Sequence, residues 1–70
     1  IDVRTKANLH ELMWELVERG LGILLISSDM PEMVRLADRI LVMRHGRIAG
    51  EFVNDHDYER ASEQIMGFIH

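Results

Sequence analysis

Apolar positions along the chain fall into two periods. Over residues 3–19, Leu9, Leu12, Met13, Leu16 and Val17 recur at the i, i+3, i+4, i+7 and i+8 spacing of one helical face, which predicts an amphipathic helix. Asp2 stands where it can cap the amino end by accepting from free backbone N–H groups, and Gly20 where a left-handed residue ends a helix. Glu15 and Arg19 add an i, i+4 pair in the favourable order. Residues 21–27 (Leu-Gly-Ile-Leu-Leu-Ile-Ser) are too short and too continuously apolar for that pattern, and predict a central parallel strand buried on both faces. The run stops at Ser27, Ser28 and Asp29. Asp29 followed three residues later by Glu32 resembles a capping box, with Pro31 in the first turn where its missing N–H costs nothing. A second helix is thus predicted over 30–37, burying Met30, Met33, Val34 and Ala37.

Residues 40–43 predict the next strand. A helix between two strands gives a right-handed crossover, so these two strands should be parallel. His45 and Gly46 then form a hairpin turn, Gly46 supplying positive φ, and 48–53 returns antiparallel with Ile48, Gly50 and Phe52 on one face. After a polar break at 54–57, Ser62 is the expected cap of a last helix through Ile65, Met66 and Ile69. The predicted class is α/β: one domain over residues 1–70, a small βαβ unit with parallel strands plus an antiparallel hairpin strand and flanking helices. In open α/β sheets ligands bind beyond the carboxyl ends of strands, which directs attention to the loop at 27–32.

Composition narrows the classes. A chain of 70 residues buries only about 60% of its unfolded surface and is marginal unless something staples it. There is no Cys, which fits a reducing compartment, and His10, His45, His56 and His70 lack the close pairing of a zinc site. With 47% apolar residues, a partner surface is the expected staple. The net charge of −4 argues against a nucleic-acid partner, which needs a clustered basic face. Arg35, Arg39, Arg44 and Arg47 read as solvated strand ends and a helix face. No apolar run reaches the ~20 residues that span a bilayer, and no signal peptide is recognisable. The chain starts at Ile1 and reads as a piece of a longer protein.

Candidate chemistry is sparse. Ser28 and Asp29 with a distant His suggest a hydrolase triad only if a Gly-x-Ser-x-Gly elbow surrounds the Ser, and none does. Asp55, His56 and Asp57 are adjacent, and adjacent residues seldom converge on one ion, so a solvated turn is the simpler reading. Met13, Met30, Met33, Met43 and Met66 fall on predicted core faces as gap-fillers, and Trp14 lies beside the apolar stripe of the first helix. A phosphate cradle needs consecutive backbone N–H groups and a Lys, and neither Gly46 nor Gly50 belongs to a Gly-x-x-x-x-Gly-Lys pattern.

Taken in order, Ile1-Asp2-Val3, a helix, Ile26-Ser27-Ser28-Asp29 with Pro31-Glu32, Asp38-Arg39-Ile40-Leu41-Val42-Met43 and Gly46-Arg47-Ile48 resemble one family. They look like the carboxyl-terminal end of an ABC-transporter ATP-binding domain, from the D-loop onward. The likeness is to the second cassette of bacterial sugar importers of the ribose, galactose, xylose and autoinducer-2 group. It covers essentially the whole chain and implies the carboxyl-terminal portion of a P-loop NTPase cassette. It also implies that the phosphate loop, the Walker B acid and the signature motif lie upstream of Ile1. ATP and Mg2+ would serve the parent ATPase, with no cofactor for the fragment alone. The implied partners are the upstream remainder of the cassette, a partner cassette and membrane permease subunits, at the cytoplasmic face of the bacterial inner membrane.

By the same resemblance, Asp2 falls at the D-loop acid, which sits between two cassettes; the ordinary reading of Asp2 as an N-cap stands beside it. Ser28 falls where most members carry the switch-loop His that contacts the γ-phosphate and the attacking water. A Ser hydroxyl hydrogen-bonds a phosphate but carries no positive charge. Its plainer role is local capping at a helix start. The alternative function is a free-standing α/β protein-interaction module without nucleotide chemistry, and a third is a small hydrolase using Ser28. An uncovered strand at 21–27 would be an apolar edge, so self-association of the fragment is expected.

Overall fold

In the computed structural model, residues 3–69 are described, and Asp2 lies outside them together with both of its expected roles. Helix α1 (Val3–Glu18) runs the predicted course. Gly20 adopts φ +93°. Its N–H donates to the Val17 carbonyl at 2.9 Å and the Leu21 N–H donates to the Leu16 carbonyl at 3.1 Å, the paired bonds of a Schellman C-cap. Helix α2 (Met30–Leu36) starts at the expected cap, where the Asp29 carboxylate accepts from the Glu32 N–H at 3.0 Å. The reciprocal half of the expected box does not form, because the Asp29 N–H donates to the Ser27 hydroxyl and the Glu32 carboxylate turns to Ser27 and His10. The helix stops one residue short of the prediction, because Ala37 has turned extended at ψ 140°.

Strands β1 (Arg39–Arg44) and β2 (Arg47–Val53) pair antiparallel, joined by the expected His45-Gly46 turn. Both turn residues have positive φ, 51° at His45 and 74° at Gly46, as a two-residue type I′ turn requires. The register pairs Ile40 with Phe52 and Val42 with Gly50, then slips, so that Met43 faces Ile48 and Ala49 is the extra residue of a bulge. That slip corrects the expected face of β2. Gly50 and Phe52 share a face with Ile40 and Val42, whereas Ile48 is moved to the opposite face beside Met43.

Helix α3 (Tyr58–Ile69) covers the first of these faces. Its cap is Asp57 and not Ser62: the Asp57 carboxylate accepts from the Arg60 N–H at 3.1 Å, and its carbonyl from the Ala61 N–H at 3.0 Å. Ser62 lies inside the helix, its hydroxyl donating to the Met30 Sδ at 3.2 Å. Starting five residues earlier puts Ala61 in the core and Phe68 against β2, where its ring stacks on Phe52 at 6.5 Å. Among the described residues the buried apolar core is Val34, Ile40, Val42 and Ala61. It is a thin core, as expected for so short a chain.

The predicted parallel strand at 21–27 does not form. The segment forms no helix or strand and has no ladder partner among the described residues, and the sheet is a two-stranded hairpin of β1 and β2. The βαβ unit with parallel strands is thus replaced by three helices around an antiparallel hairpin. The physical reason is that a strand exists only through its neighbours. An interior strand needs one on each side, and β1 is bonded to β2 alone. Leu24 is left 83% exposed and Ile26 89%. Together with Met13, Trp14, Leu36 and Leu41 they border an open apolar groove of about 1000 Å³.

Candidate functional site

The loop between 21–27 and α2 holds a polar network that reaches back to α1. Ser27 is its hinge: its hydroxyl accepts from the Asp29 N–H at 3.0 Å and donates to Glu32 Oε1 at 3.1 Å. The other carboxylate oxygen, Glu32 Oε2, faces His10 Nε2 at 3.1 Å and Lys6 Nζ at 3.6 Å, and Lys6 also approaches Asp29 Oδ2 at 3.5 Å. A carboxylate only accepts, so the His10 ring nitrogen facing it carries a proton. These bonds set the local electrostatics. The Glu32 N–H holds the Asp29 carboxyl below its ordinary range, and the His10 bond, seconded by Ser27, does the same for Glu32. Ser28, between two anchored neighbours, is exposed at the apex.

Lys6 and His10 stand one turn apart on α1, and their contribution was not evident from the chain. The apolar spacing favours the face of Leu9 and Leu12, yet both of these are half exposed while His10 is 8% exposed. The available signal was the i, i+4 placement of two basic side chains on a helix that precedes an acidic capping box. Trp14, half exposed as well, stacks beneath the Arg35 guanidinium at 5.8 Å from its ring centre.

A second polar cluster fixes the far end of α2. Asn54, 6% exposed, donates from Nδ2 to the Val34 carbonyl at 2.8 Å and to the Ala37 carbonyl at 2.6 Å. Two carbonyls demand the amide nitrogen there, which settles the side-chain orientation. His56, held at φ 64° by its N–H bond to Asn54 Oδ1, directs Nδ1 at the Val34 carbonyl at 2.8 Å, so that nitrogen too is protonated. Asp55 and Asp57 pair with Arg60 at 3.1 and 3.4 Å, and the Arg60 N–H holds the Asp57 carboxyl below its ordinary range. The 55–57 turn is therefore a scaffold: it ties the end of α2 to the start of α3. No group of three or more His, Asp or Glu among the described residues is arranged to hold a metal ion.

Chemically, the 27–32 loop offers one uncommitted neutral hydroxyl, that of Ser28, on a braced frame. Lys6, the cation that reaches this loop, is engaged by Asp29 and Glu32. Such a loop can supply one hydrogen bond to a phosphate oxygen, and a whole triphosphate needs donors from elsewhere.

Comparison with known proteins gives the frame a context. No protein-family model matches the chain, and no solved structure matches it. Curated sequences do. The chain is 57% identical over 66 residues to the ribose import ATP-binding protein RbsA 2 of Rhizobium meliloti, covering 94% of the chain and 12% of that protein. It is 47% identical over 68 residues to the ribose import ATP-binding protein RbsA of Oceanobacillus iheyensis, covering 97% of the chain and 13% of that protein. It is 41% identical over 66 residues to the xylose import ATP-binding protein XylG of Photobacterium profundum, covering 94% and 12%. The chain thus spans about one eighth of the length of the curated relatives it matches. Along nearly all of its own length the chain is similar to ABC sugar-import ATP-binding proteins.

Proposed function

We infer that this chain is the carboxyl-terminal portion of the second ATP-binding cassette of a sugar importer's ATPase, the subunit that energises uptake. Identity of 41–57% along the chain to ribose and xylose import ATP-binding proteins is the observation that carries this reading. The fold supports it. An apolar, unpaired segment with Leu24 and Ile26 bare is what an interior strand separated from its sheet would leave. In the intact cassette, strands from the remainder of the domain would flank 21–27 and place Ser28 at the nucleotide. In isolation, the same edge would pair with a second copy.

In that cassette Ser28 is the switch-loop residue, offering a neutral hydroxyl toward the γ-phosphate, and Asp2 is the D-loop acid at the partner cassette. ATP and Mg2+ would be held chiefly by the phosphate loop and Walker B acid of the remainder, with this chain adding Ser28. Permease subunits would receive the motion. The subunit would work peripherally, on the cytoplasmic face of the membrane that holds those permeases. The alternative of a free-standing interaction module has no comparable support.

The reading is tested by titrating Mg-ATP into the 70-residue chain and into the full-length protein that contains it. The expected result is saturable binding by the full-length protein and none by the chain at micromolar nucleotide. Micromolar binding by the chain alone would contradict it.

A further inference from the structure

Ser28 makes its function depend on placement, because its own side chain is anchored to nothing while both neighbours are. Ser27 and Asp29 are held by one relay. It runs from His10 Nε2 to Glu32 Oε2 (3.1 Å), from the other oxygen of Glu32 to the Ser27 hydroxyl (3.1 Å), and from that hydroxyl to the Asp29 N–H (3.0 Å). Lys6 backs the relay with contacts to Glu32 and Asp29 at 3.6 and 3.5 Å. Capping α2 needs only the Asp29 carboxylate on the Glu32 N–H. The extra bonds reach across 22 residues to α1 and bury a histidine against a carboxylate, where an apolar residue would pack with less desolvation.

We propose that His10 and Lys6, acting through Glu32, are positioning residues that hold the Ser28 hydroxyl in place for the γ-phosphate. This rests on the reading of Ser28 as the nucleotide-facing residue. The relay makes the amino half of α1 and the 27–32 loop one mechanical unit, so a displacement of α1 is carried to Ser28 without any contact between them. His10 is a donor in this unit, not a base, and touches no reacting atom.

The test uses the full-length ATPase with His10→Phe, which keeps the ring volume and removes the donor, and His10→Gln, which restores a donor at similar reach. Amide exchange by mass spectrometry over 27–34 reads the loop, and steady-state turnover reads the chemistry. For His10→Phe the loop amides should exchange several-fold faster, and kcat should fall about 10- to 100-fold with KM for ATP unchanged, the scale expected for a misplaced reacting partner. His10→Gln should return both towards the parent values. Unchanged loop exchange in His10→Phe overturns the relay. Faster exchange with unchanged turnover overturns its role in positioning Ser28, as does failure of His10→Gln to rescue either readout. If the parent protein itself turns over no ATP, the proposed function fails, and the exchange result still decides whether the relay holds the loop.

Discussion

Asn54→Asp should be the most damaging single substitution in the chain. Asn54 is the buried donor that satisfies the Val34 and Ala37 carbonyls at the end of α2, and its own Oδ1 accepts from the His56 N–H. A carboxylate in its place turns two attractive contacts into repulsions between oxygens and buries a charge without a cation. Asn54→Ala leaves the Ala37 carbonyl without that donor while Val34 keeps His56, and should destabilise by about 1–3 kcal/mol. Asn54→Asp should exceed it at neutral pH, by up to about 3–5 kcal/mol for an uncompensated buried charge. That is a large share of the ~0.05–0.15 kcal/mol per residue that holds a domain together. Acidification should narrow the gap, since a protonated Asp can donate one of the lost bonds. Denaturant unfolding at two pH values measures this. Equal midpoints for Asn54→Asp and Asn54→Ala at neutral pH would contradict the bonding described.

Gly50→Val should separate α3 from the hairpin. Gly50 faces Val42 on the side of the sheet that α3 covers, and a Cβ built there would overlap the Phe68 ring. Phe68 is not free to swing away because it stacks on Phe52 at 6.5 Å. Overpacking of this sort destabilises by about 1–3 kcal/mol. In a domain this small each kcal/mol lowers Tm by roughly 4–8 °C. Thermal unfolding followed by circular dichroism reads it, with Phe68→Leu in the same chain as the compensating change. The combined variant should recover part of the loss, since the two sites are in contact. A Gly50→Val chain that melts with the parent would show that α3 does not sit on β2 as described.

What could be read from the chain alone was whatever local chemistry decides. The Asp29 cap on the Glu32 N–H, the Gly20 cap and the His45-Gly46 turn are each set by a few adjacent residues, and each formed where expected. Errors arose where a distant contact decides. The 21–27 run has the composition of an interior strand, yet composition brings no partner, and the described residues offer none for it. The bulge at Ala49 shifts Ile48 to the other face, and alternation counted along β2 cannot detect an inserted residue. Ser62 and Asp57 are both plausible caps on chemical grounds. Asp57 wins because a helix from Tyr58 brings Ala61 and Phe68 onto the hairpin. The candidate site divides in the same way. Ser28 and the Asp29 cap were legible, whereas Lys6 and His10 belong to the site only because α1 folds back across α2.

The central claim is that residues 21–27 are an interior strand of a nucleotide-binding domain, with Ser28 at the nucleotide. A structure of the full-length protein bound to a non-hydrolysable ATP analogue tests this most directly. The account predicts that 21–27 is hydrogen-bonded between two strands supplied by the rest of the domain, with the Ser28 hydroxyl within hydrogen-bonding reach of the γ-phosphate. An unpaired 21–27 segment in that complex, or a Ser28 remote from the bound nucleotide, would contradict it.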